Sequence, residues 1–290
     1  MSYRSVFRPD LFRDRTLIVT GGGSGIGRCT AHELASLGAA VALLGRNPGK
    51  LERVRNEIVA ACHTAQISCH VCDIREESAV REAVAAVLKR HGRIDGLFNN
   101  AGGQYPSPLK EISLRGWETV VRNNLTGGFL MARECYSQWM EHNGGGIVNI
   151  IADMWNGMPG MGHSGAARAG MLNFTETAAC EWAQAGVRVN AVAPGWIASS
   201  GFETYPPEFQ SLVRTLKTKV PLQRFGTESE VSAAVVFLLS EAAAFITGAC
   251  LRIDGGVPNA RHTWPLAQHQ RSQRYNGFPL YQPPPWMGET

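Results

Sequence analysis

Three glycines at fixed spacing stand in the segment Thr20-Gly21-Gly22-Gly23-Ser24-Gly25-Ile26-Gly27. The apolar run Leu17-Ile18-Val19 precedes it, and a stretch with helical spacing (Ile26, Cys29, Thr30, Leu34, Leu37) follows. Strand, glycine turn and helix form the setting that a dinucleotide pyrophosphate requires. Gly21 permits a tight turn after the strand. Gly25 lets the backbone approach the pyrophosphate with no Cβ in the way, and Gly27 allows the helix to pack closely on the strand. With Ser24 and Ile26 they make up a phosphate-binding set. The helix N-terminus adds free N–H groups and the positive end of its dipole. A glycine-rich surface turn is the plainer alternative, and the flanking strand and helix weigh against it.

The elements that would position this turn are legible along the whole chain. Strands are expected at about 16–20, 41–44, 66–72, 94–98, 147–151, 187–192 and 250–253. Helices are expected at about 25–37, 48–61, 76–91, 114–142, 164–184, 207–218 and 227–240, with a Gly- and Pro-rich loop at 101–110. Strands alternating with helices of this length mean βαβ units and a parallel sheet. The 290 residues are 44% hydrophobic and 18% charged, an ordinary composition for a globular protein with a full core. A net charge of +4, spread without a basic stripe, gives no reason to expect nucleic acid. The seven cysteines at 29, 62, 69, 72, 135, 180 and 250 are odd in number, and no secretory signal is evident. Reduced thiols in a cytoplasmic setting are therefore expected. Cys69 and Cys72 form a C-x-x-C in a strand-like stretch, so no metal is expected there. No apolar run reaches the roughly 18 residues of a membrane span, so no membrane partner is expected either.

Further blocks line up behind the glycine turn. They are Asn99-Asn100-Ala101-Gly102, Asn123-Asn124, Asn190-Ala191-Val192-Ala193-Pro194-Gly195, Ile246-Thr247-Gly248 and Asp254-Gly255-Gly256. Together they resemble the short-chain dehydrogenase/reductase family over roughly residues 13–257. The resemblance implies an α/β protein with a single Rossmann-type, doubly wound, seven-stranded parallel sheet. It also implies NAD(H) or NADP(H) as cofactor and a homo-oligomer, tetramer or dimer. Asn100, Ala101 and Gly102 would border the cofactor. Asp73 would accept from the adenine amine with Ile74 beside it, unless Asp73 serves as a helix N-cap. Pro194 and Gly195 would bring the backbone of Ile197 to the nicotinamide carboxamide, and Ser199 would touch the pyrophosphate. The second strand ends Leu44-Gly45-Arg46-Asn47, with no carboxylate for a ribose 2′-hydroxyl. Arg46 can meet a 2′-phosphate, so NADP(H) is preferred, with NAD(H) possible. A merely solvated Arg46 is the alternative.

The family's usual catalytic set is Asn, Ser, Tyr and Lys, and this chain keeps only the first, as Asn124. Ala152 stands at the serine position, and Ser164-Gly165-Ala166-Ala167-Arg168 aligns with Tyr-x-x-x-Lys. Reducing a ketone requires a proton donor of matched pKa, which a serine hydroxyl does not supply near neutral pH. Reducing a C=C bond conjugated to a thioester instead forms an enolate, whose oxygen needs preorganised donors. Arg168 stays charged and cannot act as an acid, but it can hold ribose hydroxyls and set a cation near the enolate. The stretch His163–Gly170 closely resembles the peroxisomal trans-2-enoyl-CoA reductases, as do Gly103-Gln104 and Val148-Asn149-Ile150-Ile151. The related 2,4-dienoyl-CoA reductases also lack the tyrosine.

The expected catalytic residues are therefore Asn124, Ser164 and Arg168, acting on an enoyl-CoA or similar small-molecule acyl thioester. Arg168 and Asn124 also count among the cofactor contacts. Ser164 either donates to the thioester oxygen or caps its helix, and Asn124 either joins a water relay or caps a kink. His163 as a proton carrier and Asp153 as an acid are weaker candidates. Two rival readings stand beside this one: a dehydrogenase of acyclic terpenoid breakdown of the citronellol type, and an NADP-binding protein that has lost its acid. Phe202 to Val220 has the composition of a substrate lid. The ending Met287-Gly288-Glu289-Thr290 is not a peroxisomal signal, so a bacterial cytoplasmic protein is expected. Residues 258–290, with six prolines and five aromatics, form a tail without its own core. Its aromatics are expected to order it along a neighbouring subunit.

Overall fold

The computed structural model describes residues 1–260 and 265–287. Seven strands make one sheet: β1 Thr16–Thr20, β2 Ala40–Gly45, β3 Ile67–Val71, β4 Gly96–Asn99, β5 Gly145–Ile150, β6 Val187–Pro194 and β7 Cys250–Ile253. All pairings are parallel and the order is β3-β2-β1-β4-β5-β6-β7. The direction of winding reverses between β1 and β4, which opens a crevice at the strands' C-terminal ends. β1 is buried along its whole length. Its side chains alternate between two cores: Leu17 and Val19 join one face with Phe98 and Val148, while Ile18 joins the other with Leu97 and Ile147. A strand with a core on each face reads as an unbroken apolar run, which is why β1 was visible in the sequence.

Helices α1 Gly25–Ser36, α2 Pro48–Ala61 and α3 Glu77–His91 cross over between the first four strands. The long helix expected at 114–142 is interrupted twice. It runs as α4 Leu114–Val121, a π turn Arg122–Thr126, α5 Gly127–Cys135, a second π turn Tyr136–Met140 and a last turn α6 Glu141–Asn143. α7 Gly162–Glu181, α8 Pro207–Leu216 and α9 Glu228–Leu239 complete the set. The fourth strand starts two residues later than expected. Asp95 lies just ahead of the β4 ladder, where its carboxylate accepts from the Thr16 amide at 2.8 Å and from Arg93 at 2.6 Å. Among the described residues no helix is long and apolar enough to cross a membrane.

The tail folds back on its own chain. Phe278 is 1% exposed, stacked near Tyr3 and His32 and against Cys29. The Thr227 hydroxyl donates to the Tyr275 carbonyl, the Tyr281 hydroxyl donates to the Ala198 carbonyl at 2.9 Å, and Trp286 meets Phe202. Within its own chain the tail lies in a groove formed by α1, the start of α9 and the segment after β6. Among the described residues that groove takes Phe278, Tyr281 and Trp286, whose apolar surface is costly to leave in water. Trp264, one of the tail's five aromatics, and Arg261, one of its basic residues, lie outside the described residues. Removing the buried ring should be felt globally. Phe278→Ala should destabilise the protein by about 3–5 kcal/mol in chemical denaturation, and Phe278→Leu by clearly less.

Candidate active site

The glycine turn sits at the head of the crevice. Gly25 has φ +57°, a left-handed conformation that favours glycine. A Cβ at Gly27 would stand 2.4 Å from the Gly21 carbonyl and 2.5 Å from the Asn100 amide, so α1 packs on this turn only without a side chain there. Gly21 likewise has φ +66°. Ser24 is the N-cap of α1 but makes no side-chain cap bond, which leaves its hydroxyl available at an exposed helix N-terminus.

Thr20 braces this turn from below. Its hydroxyl accepts from the amides of Asn100 and Ala101, both at 2.9 Å, while the Asn100 side chain donates to the Thr20 carbonyl at 3.0 Å. Asn100 and Ala101 therefore shape the cleft by holding the end of β4 to the end of β1. The cleft, about 660 Å3, is lined by Gly21, Ser24, Arg46, Asp73, Ile74, Asn100, Ala101 and Gly102 among others. A dinucleotide fits this donor set: a cradle that a Cβ would fill, free helix amides and a cation at one rim. Arg46 is exposed at that rim. Asp73 is not the N-cap of α3, a position that Glu76 takes. Its carboxylate is instead forked by Arg75, at 2.5 Å from Nη2, and the guanidinium pulls its pKa down to about 2. Ile74 is buried against Gly127, so it meets the cleft as a wall.

The three expected catalytic residues come together through one loop. Arg168 and Ser164 lie one turn apart on α7, and Asn124 lies in the first π turn. Gly102 packs so closely that a Cβ would stand 2.5 Å from Asn124 Oδ1 and 2.8 Å from Arg168 Nη2. The Gly103 amide donates to Asn124 Oδ1 at 3.0 Å, and Asn124 Nδ2 donates back to the Gly103 carbonyl at 2.7 Å. The Ser164 hydroxyl donates to Gln104 Oε1. Of the two earlier alternatives for Ser164, the capping one is not observed: α7 begins at Gly162, and its N-cap position is Met161.

Arg168 is 8% exposed. Its Nη1 donates to the Ile150 carbonyl at 2.7 Å, and its Nε has no partner among the described residues. Burial lowers the guanidinium to about 10, so it remains charged at neutral pH. His163 is fully buried and edge-on to Tyr105, and burial lowers its pKa. Its Nδ1 accepts from the Ser164 amide. Asp153 is raised by burial and then by Asp254; its charged neighbours are Asp254 and Arg252 at the end of β7, not Ser164 or Arg168.

Past β6, Gly195 packs against Asp254, Ile197 bridges to Gly226, and Ser199 precedes a 3-10 turn at Ser200–Thr204. Ser199 makes no side-chain cap bond there. Three site groups were not foreseen from sequence as working parts: Gln104, Tyr205 and Glu228. Gln104 Nε2 donates to the Tyr205 hydroxyl at 3.0 Å. Glu228, at the start of α9, is 5% exposed, and its carboxylate oxygen stands 3.9 Å from where a side chain at Gly25 would begin. Burial pushes its pKa up to about 7.

Comparison with known proteins adds to this geometry. A family profile described as enoyl-(acyl carrier protein) reductase matches residues 21–258. A probable 2,4-dienoyl-CoA reductase of Bacillus subtilis is 37% identical over 246 residues, 83% of this chain and 96% of that one. A citronellol catabolism dehydrogenase (AtuB) of Pseudomonas aeruginosa superposes with a TM-score of 0.79 at 60% identity, over 88% of this chain and 99% of that one. An NAD+-bound xylitol dehydrogenase superposes with a TM-score of 0.77 at 30% identity, over 84% and 99%. The chain belongs to the short-chain dehydrogenase/reductase family, on its dienoyl-CoA-reductase-like branch, and is an oxidoreductase of the NAD(P)-binding kind.

Glu228 gives the site a pH dependence. Below about pH 7 its carboxyl is neutral; above, it places a negative charge beside the phosphate turn. Dinucleotide affinity should therefore fall as pH rises from 6 to 8, and Glu228→Gln should flatten the profile in fluorescence titration. A raised folded-state pKa also means stability that is present at low pH and lost as pH rises through about 7. Glu228→Gln should raise the Tm at pH 8 and leave it unchanged at pH 4.

Proposed function

We propose that this protein is an NADPH-dependent reductase of the C=C bond of an enoyl-CoA or a similar conjugated acyl thioester. One observation carries the reading: α7 presents Ser164 and a buried, charged Arg168 where the family has its tyrosine and lysine. When bound, the reduced nicotinamide supplies a hydride to the β carbon. The chain's part is to hold the forming enolate. Arg168, fixed on the Ile150 carbonyl, keeps one arm and its Nε for ribose hydroxyls and sets positive charge at the bottom of the crevice. Ser164, one turn away on the same helix, and its partner Gln104 offer further hydrogen-bonding groups. Asn124 fixes the loop that carries Gln104. The curated relative named as a dienoyl-CoA reductase supports the same bond type.

Arg46 supports NADPH over NADH, because a guanidinium matches a 2′-phosphate and no carboxylate stands there to hold a 2′-hydroxyl. Phe245, fully exposed, and Leu251 on the edge strand β7 supply apolar surface for a homo-oligomer. The cysteines, all free among the described residues, fit a cytoplasmic location. A second reading is a dehydrogenase of acyclic terpenoid breakdown, favoured by the 60% identity to the citronellol catabolism dehydrogenase.

A substrate panel separates the two. NADPH oxidation with crotonyl-CoA and longer enoyl-CoA thioesters, without turnover of citronellol or citronellal, is the expected result; the reverse pattern selects the second reading. Arg46→Asp should weaken NADPH by roughly 10- to 150-fold and leave NADH unchanged or better, as one charge-assisted contact predicts. Tighter NADH binding by the unaltered protein would defeat that assignment. Arg168→Lys keeps the charge but loses the fork; kcat should drop while cofactor affinity changes little.

A further inference from the structure

The site holds a tyrosine after all, brought from a different part of the chain. Tyr205 follows the 3-10 turn Ser200–Thr204 and precedes Pro206 and Pro207 at the start of α8. Phe202 and Phe209 pack around its ring, at 5.6 and 5.1 Å between centroids, and Gln210 donates to its carbonyl. Its hydroxyl accepts from Gln104 Nε2, and Gln104 in turn takes the Ser164 hydroxyl. Burial raises this phenol above its ordinary pKa, and the Gln104 hydrogen bond and the Arg168 charge oppose that only in part. Along its own segment Glu203 and Glu208 are exposed, so Arg168 is the charged group that faces it. The phenol therefore keeps its proton at neutral pH, while the Gln104 N–H and the Arg168 charge favour its conjugate base once the proton has left.

We propose that Tyr205 is the proton donor of this site and that Gln104 positions it. The proposal rests on the thioester reading above. Once the β carbon has taken hydride from the reduced nicotinamide, the former C=C pair lies in the enolate. The Tyr205 O–H bond breaks, the proton and the enolate pair form the new C–H bond at the α carbon, and the thioester carbonyl is restored. The electron pair left on the phenolate is held by Gln104 Nε2–H and by Arg168, and water returns the proton. Tyrosine and arginine thereby supply the acid and cation that α7 does not supply as a tyrosine–lysine pair.

The test uses the full chain with NADPH and crotonyl-CoA. Tyr205→Phe should cut kcat by about 100-fold or more, the usual contribution of a general acid, with NADPH affinity unchanged. Gln104→Ala should lower kcat by less and restore no activity to Tyr205→Phe. A fluorinated, more acidic tyrosine installed at 205 should keep turnover and move the alkaline limb of kcat to lower pH, because the protonated form is the active one. A merely packing role would leave that limb in place. A Tyr205→Phe kcat within about 3-fold of the unaltered protein, or an unmoved limb, overturns the proposal. If no enoyl thioester is reduced, the thioester reading fails by itself. The same variants are then assayed with citronellal, where the proton would go to the carbonyl oxygen. Equal losses there support Tyr205 as the donor; turnover of neither substrate overturns it.

Discussion

The pairing of Asn124 with Gly103 holds the site together. One side chain, that of the buried Asn124, satisfies both the amide and the carbonyl of a single exposed loop residue, at 3.0 and 2.7 Å. Each such bond contributes modestly, about 1 kcal/mol, but leaving either backbone group unpaired would cost more than making it contributes. The clamp sets three neighbours at once. Gly102 is pressed against Arg168, Gly103 is fixed, and Gln104 is carried to Ser164 and Tyr205. The π turn at Arg122–Thr126 that holds Asn124 interrupts the regular helix where this loop must be reached.

Much of the scaffold was legible because its physics is local. β1, α2 and β7 lie where apolar runs and helical periodicity put them, and the sheet is the parallel one that alternating strands and helices imply. The π turns were not legible: one extra residue per turn leaves the apolar pattern of a long helix nearly unchanged. The site was legible in part. The glycine turn announces itself by type and spacing, and the resemblance to the family points to Asn124, Ser164 and Arg168. The Gln104–Tyr205 contact spans 101 residues and the Ser164–Gln104 contact spans 60. No periodicity or motif couples positions that far apart; only the folded return of the segment after β6 does. The tail's order was legible for a simpler reason: its aromatic composition demands a covering surface, which α1 and α9 supply within the chain.

Such long-range placement bears on reaction type. The absence of a tyrosine on α7 removes the acid from that helix, not from the site. Arg168 belongs to the rigid part, anchored on the last residue of β5 and pressed by Gly102. Tyr205 belongs to the segment laid over it. The guanidinium and the phenol therefore come from separate elements, joined through Gln104 and Ser164. In the usual family arrangement acid and cation are locked one helical turn apart and are present whether or not substrate is bound.

The segment after β6 also meets the C-terminal tail. Trp286 packs on Phe202, and Phe202 packs on Tyr205, so one ring separates the tail from the phenol. Tyr281 holds the Ala198 carbonyl at the root of the same segment, and Arg214 of α8 lies over the Trp286 ring. The tail's own hold is on the rigid body, through Phe278 between Tyr3 and α1 and through Tyr275 on the start of α9. It acts as a strap, with one end fixed where the cofactor turn begins and the other lying on the cover of the substrate side. The prolines between these anchors restrict the chain between them and reduce the entropy lost when it is laid down. A tail with no core of its own thus joins α1 and α9 to the segment after β6, and among the described residues its aromatics occur where it meets each of them.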